Sequence, residues 1–211
     1  MPKLTASHPS SPALISENAA AAAHLMLKVG SFAELVRLVS SSDEAGIDLT
    51  QFDDAVKRLA DYGVGDHLVR VHEGVGRRSA EDLYSHADAL LSAIADSPLP
   101  TLEWGPVSEL IGDDLLASLV EISPSSLVRY RSGQRTTPDP IAQRLHTVTL
   151  IVADLRGSYN EFGIRRWFTR PRTTLGGVAP ADILTGDWSP DSPEVHQVRR
   201  LAAALLGASL G

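Results

Sequence analysis

The sequence contains no cysteine, which excludes disulfides, thiolate zinc sites and a cysteine nucleophile and fits a cytoplasmic protein. No apolar run approaches the roughly 18 residues that a membrane span needs, so no membrane partner is expected. Ser and Pro punctuate the first 12 residues and no apolar core follows Lys3, unlike a secretion signal. The half from residue 104 onward has no lysine at all, so each of its basic side chains other than histidine is an arginine.

Catalytic and cofactor patterns are missing as well. Of the seven histidines only His67 and His72 lie close together, and a spacing of five does not put both on one helix face, so no metal site is expected. Gly63-Val-Gly65 and Gly74-Val-Gly76 lack the third glycine and the strand–turn–helix setting of a nucleotide loop and read as helix ends. No G-x-S-x-G elbow is present. The adjacent carboxylates Asp53-Asp54 and Asp113-Asp114 fall on different helix faces and read as solvated or first-turn acids. The chain is therefore expected to be no enzyme and to need no cofactor.

What the sequence does have is a fold's worth of apolar periodicity and an uneven charge. Its 211 residues are 43% hydrophobic, enough for one large or two small globular domains. The formal charge of −7 resides entirely in residues 1–103; residues 104–211 hold eleven arginines and eleven acids. Within that half, 125–172 carries nine arginines against Asp139, Asp154 and Glu161. Phosphate affinity follows the local field, so an acidic chain can still present a basic face to DNA.

Helical patterns follow one another along the chain, and an all-α fold is expected. Residues 1–15 read as a loosely held tail. A helix is predicted from about Ser16 through the alanine block to Lys28, and a second opens at Ser31-Phe-Ala-Glu34, a capping-box pattern. SSSDEAG at 40–46 reads as a loop. The next helix buries Phe52, Val56, Leu59 and Ala60. Val64, Leu68, Val71 and Val75 then form a helical stripe, with a short strand at His67–Val71 as the alternative. Ser79-Ala-Glu-Asp82 is a further capping box. The prolines of Asp96-Ser-Pro-Leu-Pro100 mark a linker, which separates an N-terminal helical bundle (16–96) from a second region at 102–160 and a third at 161–211.

The most informative segment is Leu115–Tyr130, LLASLVEISPSSLVRY. Two short helices meet at Ile122-Ser123-Pro124, the form of a helix-turn-helix. Ala117 is small where the two helices approach, Ile122 plugs the turn, and Ser123 and Pro124 suit the N-cap and first helical position. Leu127 and Tyr130 fall on the inward face at i and i+3. That leaves Ser125, Val128, Arg129 and Ser132 outside, a surface suited to a major groove because arginine bonds guanine edges or phosphates. Double-stranded operator DNA is the expected partner, contacted by Arg129, Arg131 and Arg135, with Ser123 and Ser125 near phosphates and Val128, Ser132 and Gln134 flanking. One short recognition helix gives few contacts, so a homodimer reading two half-sites is expected. A helical hairpin with no DNA role is the alternative. Many such motifs have Gly at the turn, where this chain has Glu121. Asp139 and Pro140 are predicted to cap and start the long apolar helix that follows.

The span from about 104 to 211 resembles the Xre–MbcA–ParS antitoxin family. SPSSLVRYRSGQR before a long apolar helix carries part of the likeness. Trp167-Phe168-x-x-Pro171, Leu175-Gly176-Gly177, Pro180, Ile183-Leu184 and a terminal amphipathic helix carry the rest. The resemblance implies an all-helical fold, dimerisation, operator binding that represses the chain's own operon, and neutralisation of a cognate toxin, usually a RES-type enzyme that consumes NAD. It covers about half of the chain and leaves residues 1–100 unexplained; near the last helix, Gly186-Asp187-Trp188 replaces the family's usual Gly. On this resemblance the toxin-binding site comprises Leu175, Gly176, Gly177, His196, Arg199 and Arg200. A helix-turn-helix regulator or architectural DNA-binding protein with no toxin, using its N-terminal bundle as sensor or oligomerisation module, is the alternative.

Overall fold

The computed structural model describes the backbone of residues 12–40, 49–68 and 79–208 and the side chains of 19–40, 49–68 and 79–205. Helix already begins at Pro12, inside the tail expected over 1–15, of which residues 1–11 lie outside the described residues, as do 41–46 of the loop expected at 40–46 and the Val71, Val75, His72 and Gly74–Gly76 positions. The fold is all-helical: α1 (Pro12–Leu35), α2 (Leu49–Ala60), α3 (Ala80–Ala95), α4 (Pro100–Ile111), α5 (Asp113–Leu119), α6 (Pro124–Arg131), α7 (Asp139–Arg156), α8 (Glu161–Thr169), α9 (Pro180–Ile183) and α10 (Pro193–Ala208). Among the described residues no helix is long and apolar enough to cross a membrane, and no group of three or more ligating side chains could hold a metal ion.

The axis of the fold is α7. It buries Ala142, Leu145, Val148, Ile151, Val152 and Leu155 together with His146, Thr147 and Thr149. A helix apolar on nearly every side belongs in a core, and α1, α4, α8 and α10 all pack on it. The two threonines satisfy their hydroxyls within the helix, Thr147 on Gln143 O at 2.9 Å and Thr149 on Leu145 O at 2.9 Å.

Helix α1 runs unbroken through Gly30-Ser31, so the second helix start expected at Ser31 does not exist. The Ser31 hydroxyl instead donates to the Ala153 carbonyl of α7 at 2.5 Å, a partner 122 residues away. The helix ends at Arg37, whose φ of +61° is left-handed, and Leu38 N–H closes the end on Ala33 O at 2.8 Å. The capping box at Ser79 forms as its local pattern requires, with Asp82 N–H on Ser79 Oγ at 3.1 Å and Ser79 N–H on Asp82 Oδ2 at 3.0 Å. Asp139 does not cap α7: it is the first helical residue, Pro140 the second, and the N-cap position is Pro138, which has no side-chain acceptor.

The Asp96–Pro100 segment is a corner rather than a spacer between separate cores. Pro100 starts α4 directly, and one buried cluster extends from Met26 on α1 through Trp104, Leu127 and Val148 to Ala202 on α10. Polar links cross the corner too. His146 Nε2 donates to the Ile94 carbonyl of α3 at 2.8 Å, while Nδ1 shares a 2.5 Å hydrogen bond with the fully buried Glu103 of α4. A carbonyl only accepts, so Nε2 carries a proton. The ring of Phe32 on α1 meets His146 edge-on at 6.0 Å. Trp167, Phe168 and Trp188 join the same core.

Candidate nucleic-acid interface

Helices α5 and α6 form a helix-turn-helix whose turn obeys the local chemistry of its residues. Helix α5 buries Leu116, Ala117 and Leu119. Glu121 has a φ of +59°, and Ile122 N–H bonds back to Ala117 O at 3.0 Å, closing the helix as a left-handed C′ residue does. Glycine is favoured there because a Cβ costs about 1 kcal/mol in this conformation. The glutamate has a compensating partner: Gly186 N–H donates to Glu121 Oε1 at 2.6 Å. Trp188 Nε1, two residues on, donates to the Leu119 carbonyl at 2.9 Å. The segment before α10 thus clamps the turn, and the Arg144 guanidinium covers the Trp188 ring at 5.3 Å.

Ser123 caps α6, its hydroxyl accepting from Ser126 N–H at 3.2 Å. Leu127 and Tyr130 point inward and are buried. The Tyr130 ring stacks on Trp104 of α4, 5.8 Å between centroids and 13° from parallel. Trp104 Nε1 in turn donates to Thr137 Oγ1 at 3.0 Å, tying down the loop after α6. That loop turns at Gly133 (φ +71°) and returns Arg135 N–H to Arg129 O at 3.2 Å. A buried aromatic stack under the helix and a pinned loop beyond it make the outer face rigid.

The residues expected to face DNA share one exposed surface but are not equivalent. Ser125, Val128, Arg129, Ser132, Gln134 and Arg135 are exposed, Val128 by 47%. Ser123 is exposed but its hydroxyl is occupied by the cap and by Ser125 and Ser126. The Ser132 hydroxyl donates to Arg129 O at 3.2 Å. Arg135 lies over the Tyr130 ring at 5.5 Å. Arg131 is exposed but already paired within the fold. Its Nη1 is 2.6 Å from both Ser108 Oγ and Asp113 Oδ1, joining α6 to α4 and α5. The hydrogen bonds from Ser108 and Arg131 hold the Asp113 carboxyl below its ordinary range. Arg129 carries no such intramolecular contact among the described residues and presents its guanidinium outward.

The residues assigned to toxin binding are divided by burial. Leu175 is buried, because Arg172 and Val178 pair across a tight turn that points its side chain into the core. Gly176 and Gly177 form the exposed tip of that turn with φ of +69° and +85°. The apolar stripe of α10, with Val195, Val198 and Ala202 fully buried, lies against α7 and is not open to a partner. His196 and Arg200 remain exposed, while Arg199 is half-buried.

Two features of the site were not foreseen. Glu121 as a left-handed residue could have been suspected, since it stands where glycine is usual; its bond to Gly186 could not. The Arg131–Asp113 pair joins residues 18 apart on separate helices, and no local pattern signals it. Compared with protein-family models, curated proteins and solved structures, the chain matches none.

Proposed function

We propose that the chain is a DNA-binding regulator that inserts α6 into the major groove. The observation that carries this reading is the outer face of α6: Ser125, Val128 and Arg129 stand exposed over a rigid Trp104–Tyr130 base, with Arg135 beside them. A free arginine on a short, stiffly mounted helix is the chemistry that reads guanine edges. Ser125 and its backbone amide, at the first turn of α6, suit a phosphate contact, while the Ser123 hydroxyl stays in the cap. Arg131 supports the helix instead of touching DNA. A homodimer places two such helices on successive major-groove faces.

In its more specific form, the reading is an antitoxin that represses its own operon and neutralises a cognate RES-type toxin. This part rests on the resemblance of residues 104–211. The surface left for the toxin is Gly176, Gly177, His196 and Arg200. A regulator without a toxin has the same DNA face and lacks only that partner. Fluorescence anisotropy with the chain's own upstream DNA, at stated salt, tests the shared claim. Saturable binding that weakens in Arg129→Ala is expected; equal affinity of wild type and Arg129→Ala would overturn it. Light scattering of the complex reports the dimer. Rescue of cells expressing the neighbouring gene, lost in Arg200→Glu, separates the antitoxin from the plain regulator.

A further inference from the structure

Several hollows indent the surface, and their charge balance distinguishes them. The cavity of about 650 Å3 beside α1, α2, α4 and α7 has three arginines (Arg37, Arg58, Arg156) and three acids (Glu34, Asp54, Glu109), so its own lining neutralises it. A groove between α5 and α8 exposes Phe162, but nothing indicates what would cover it. The third is different.

A cleft of about 260 Å3 between α1, α7 and α10 is lined by Lys28, Asp154, His196, Arg199 and Arg200, with Ala203 at its edge. Three permanent cations face one carboxylate. Lys28 Nζ lies 3.6 Å from Asp154 Oδ1, which accounts for that one pair. Arg199 is half-buried and, among the described residues, has no hydrogen bond or contact ion pair, its only resolved partner being the more distant charge of Asp154. Burial pushes the Asp154 carboxyl up from its ordinary value, against the pull of Lys28 and Arg199. It likewise pushes the Arg199 guanidinium down, against the pull of Asp154. These are ions taken partly out of water without full compensation, which is costly unless a ligand completes them.

We propose that this cleft binds the phosphate group of a small phosphate monoester. The surplus of Lys28, Arg199 and Arg200 over Asp154 is two positive charges, which a monoester phosphate of about −1.5 to −2 at neutral pH matches. A carboxylate would leave one cation uncompensated. Two guanidinium forks suit tetrahedral oxygens, and the exposed His196 adds a donor. The rest of the ligand has room as well. Arg199 and His196 also wall an adjoining hollow of about 390 Å3, lined by Gln143, Thr147 and Leu150 and by the carboxylates Asp96 and Asp191, which suit hydroxyls on the rest of the ligand. The cleft is remote from α6: along α7, Asp154 is 15 residues from Asp139, or about 22 Å of helix. The proposal does not depend on the DNA-binding reading, and the cleft shares His196 and Arg200 with the surface left for a toxin, which would cover it if docked there. A bound phosphate would tie α10 to α1 and α7.

Isothermal titration of the full chain with inorganic phosphate and with glycerol 3-phosphate tests it, with acetate at matched ionic strength as comparison. Saturable binding of both phosphates is expected, weakened roughly tenfold or more in Arg199→Gln and Lys28→Gln and unchanged in Arg58→Gln, which alters the self-neutralised cavity. Circular dichroism checks the fold; should Arg199→Gln not fold, the exposed Arg200→Gln is expected to give the same weakening. No saturable binding into the high millimolar range would overturn the proposal, as would undiminished binding in folded Arg199→Gln. Acetate binding as tightly as phosphate would overturn the phosphate assignment. Anisotropy with DNA is measured on the same variants, so failure here leaves the reading of α6 untouched, and failure there leaves this one.

Discussion

Glu121 and Gly186, 65 residues apart, are joined by a 2.6 Å hydrogen bond from the glycine amide to the glutamate carboxylate. The contact makes the turn of the helix-turn-helix dependent on the segment that leads into α10. It also explains how a glutamate occupies a left-handed position that favours glycine: the side chain recovers by hydrogen bonding what the backbone loses in strain. Two substitutions separate these terms. Glu121→Ala keeps the strain and removes the bond, and is expected to destabilise by about 1–2 kcal/mol. Glu121→Gly removes both and is expected to cost less, by about 1 kcal/mol, because the left-handed conformation becomes easy. Urea unfolding gives the order; Glu121→Gly no more stable than Glu121→Ala would contradict the assignment of strain.

Arg129 and Arg131 sit two positions apart and are expected to fail differently. Arg129→Ala should leave the urea midpoint unchanged and cost about 1–3 kcal/mol of DNA affinity if it reads a base. Arg131→Ala removes the partner of Asp113 and Ser108, and its first effect should be on stability, about 1 kcal/mol for a half-exposed pair. Paired unfolding and anisotropy curves for the two variants check the division of labour.

The same pair gives a pH dependence. Asp113 is held below its ordinary value of 3.8 by bonds from Ser108 and Arg131. A carboxyl whose folded-state value is depressed contributes stability that is fully present above the unfolded value and is lost as pH falls through the folded one. The expected loss therefore begins near pH 3.8 and deepens below it. Asp82, depressed by its bonds to Ser79, titrates in the same direction. Asp113→Asn should flatten the acid side of the stability curve without abolishing it, as followed by urea midpoints across that range.

His146 hydrogen-bonds two buried groups, Ile94 O and Glu103 Oε1. Replacing it by leucine fills the volume and strands both, and an uncompensated buried carboxyl is costly. His146→Leu should lose about 3 kcal/mol or more. The double variant His146→Leu/Glu103→Leu should regain part of that loss, since no carboxyl is then left unpaired. Thermal unfolding of the two variants makes the comparison.

Where local chemistry decides structure, the residues were readable in advance. Ser79 and Asp82 are three apart and cap each other in any helix that starts there. Leu127 and Tyr130 face inward because their spacing leaves no other choice once Ser123 and Pro124 start α6. Ser31 and Glu34 carry the same capping pattern, yet α1 continues through them, and the Ser31 hydroxyl donates to a carbonyl of α7 that no window of sequence contains. Arg131 follows the same rule: its spacing points it outward, and Asp113 and Ser108 claim it. Leu175 was assigned to the surface from its place in a motif and is turned inward by the Arg172–Val178 pairing. For Ser31 and Arg131 the deciding partner is distant along the chain, so only the assembled fold could reveal it.

The single core that extends from Met26 to Ala202 also limits what can be done with the molecule. A reading head is often treated as a cassette to be excised, fused or exchanged. Residues 102–160 cut out alone would carry α7 with the faces it gives to α1 and α10 stripped bare, and a helix so apolar would seek other copies of itself. The exposed face of α6 is thus not a portable part. Its shape is underwritten by the whole chain, and any transplant has to bring α1 and α10 along with it.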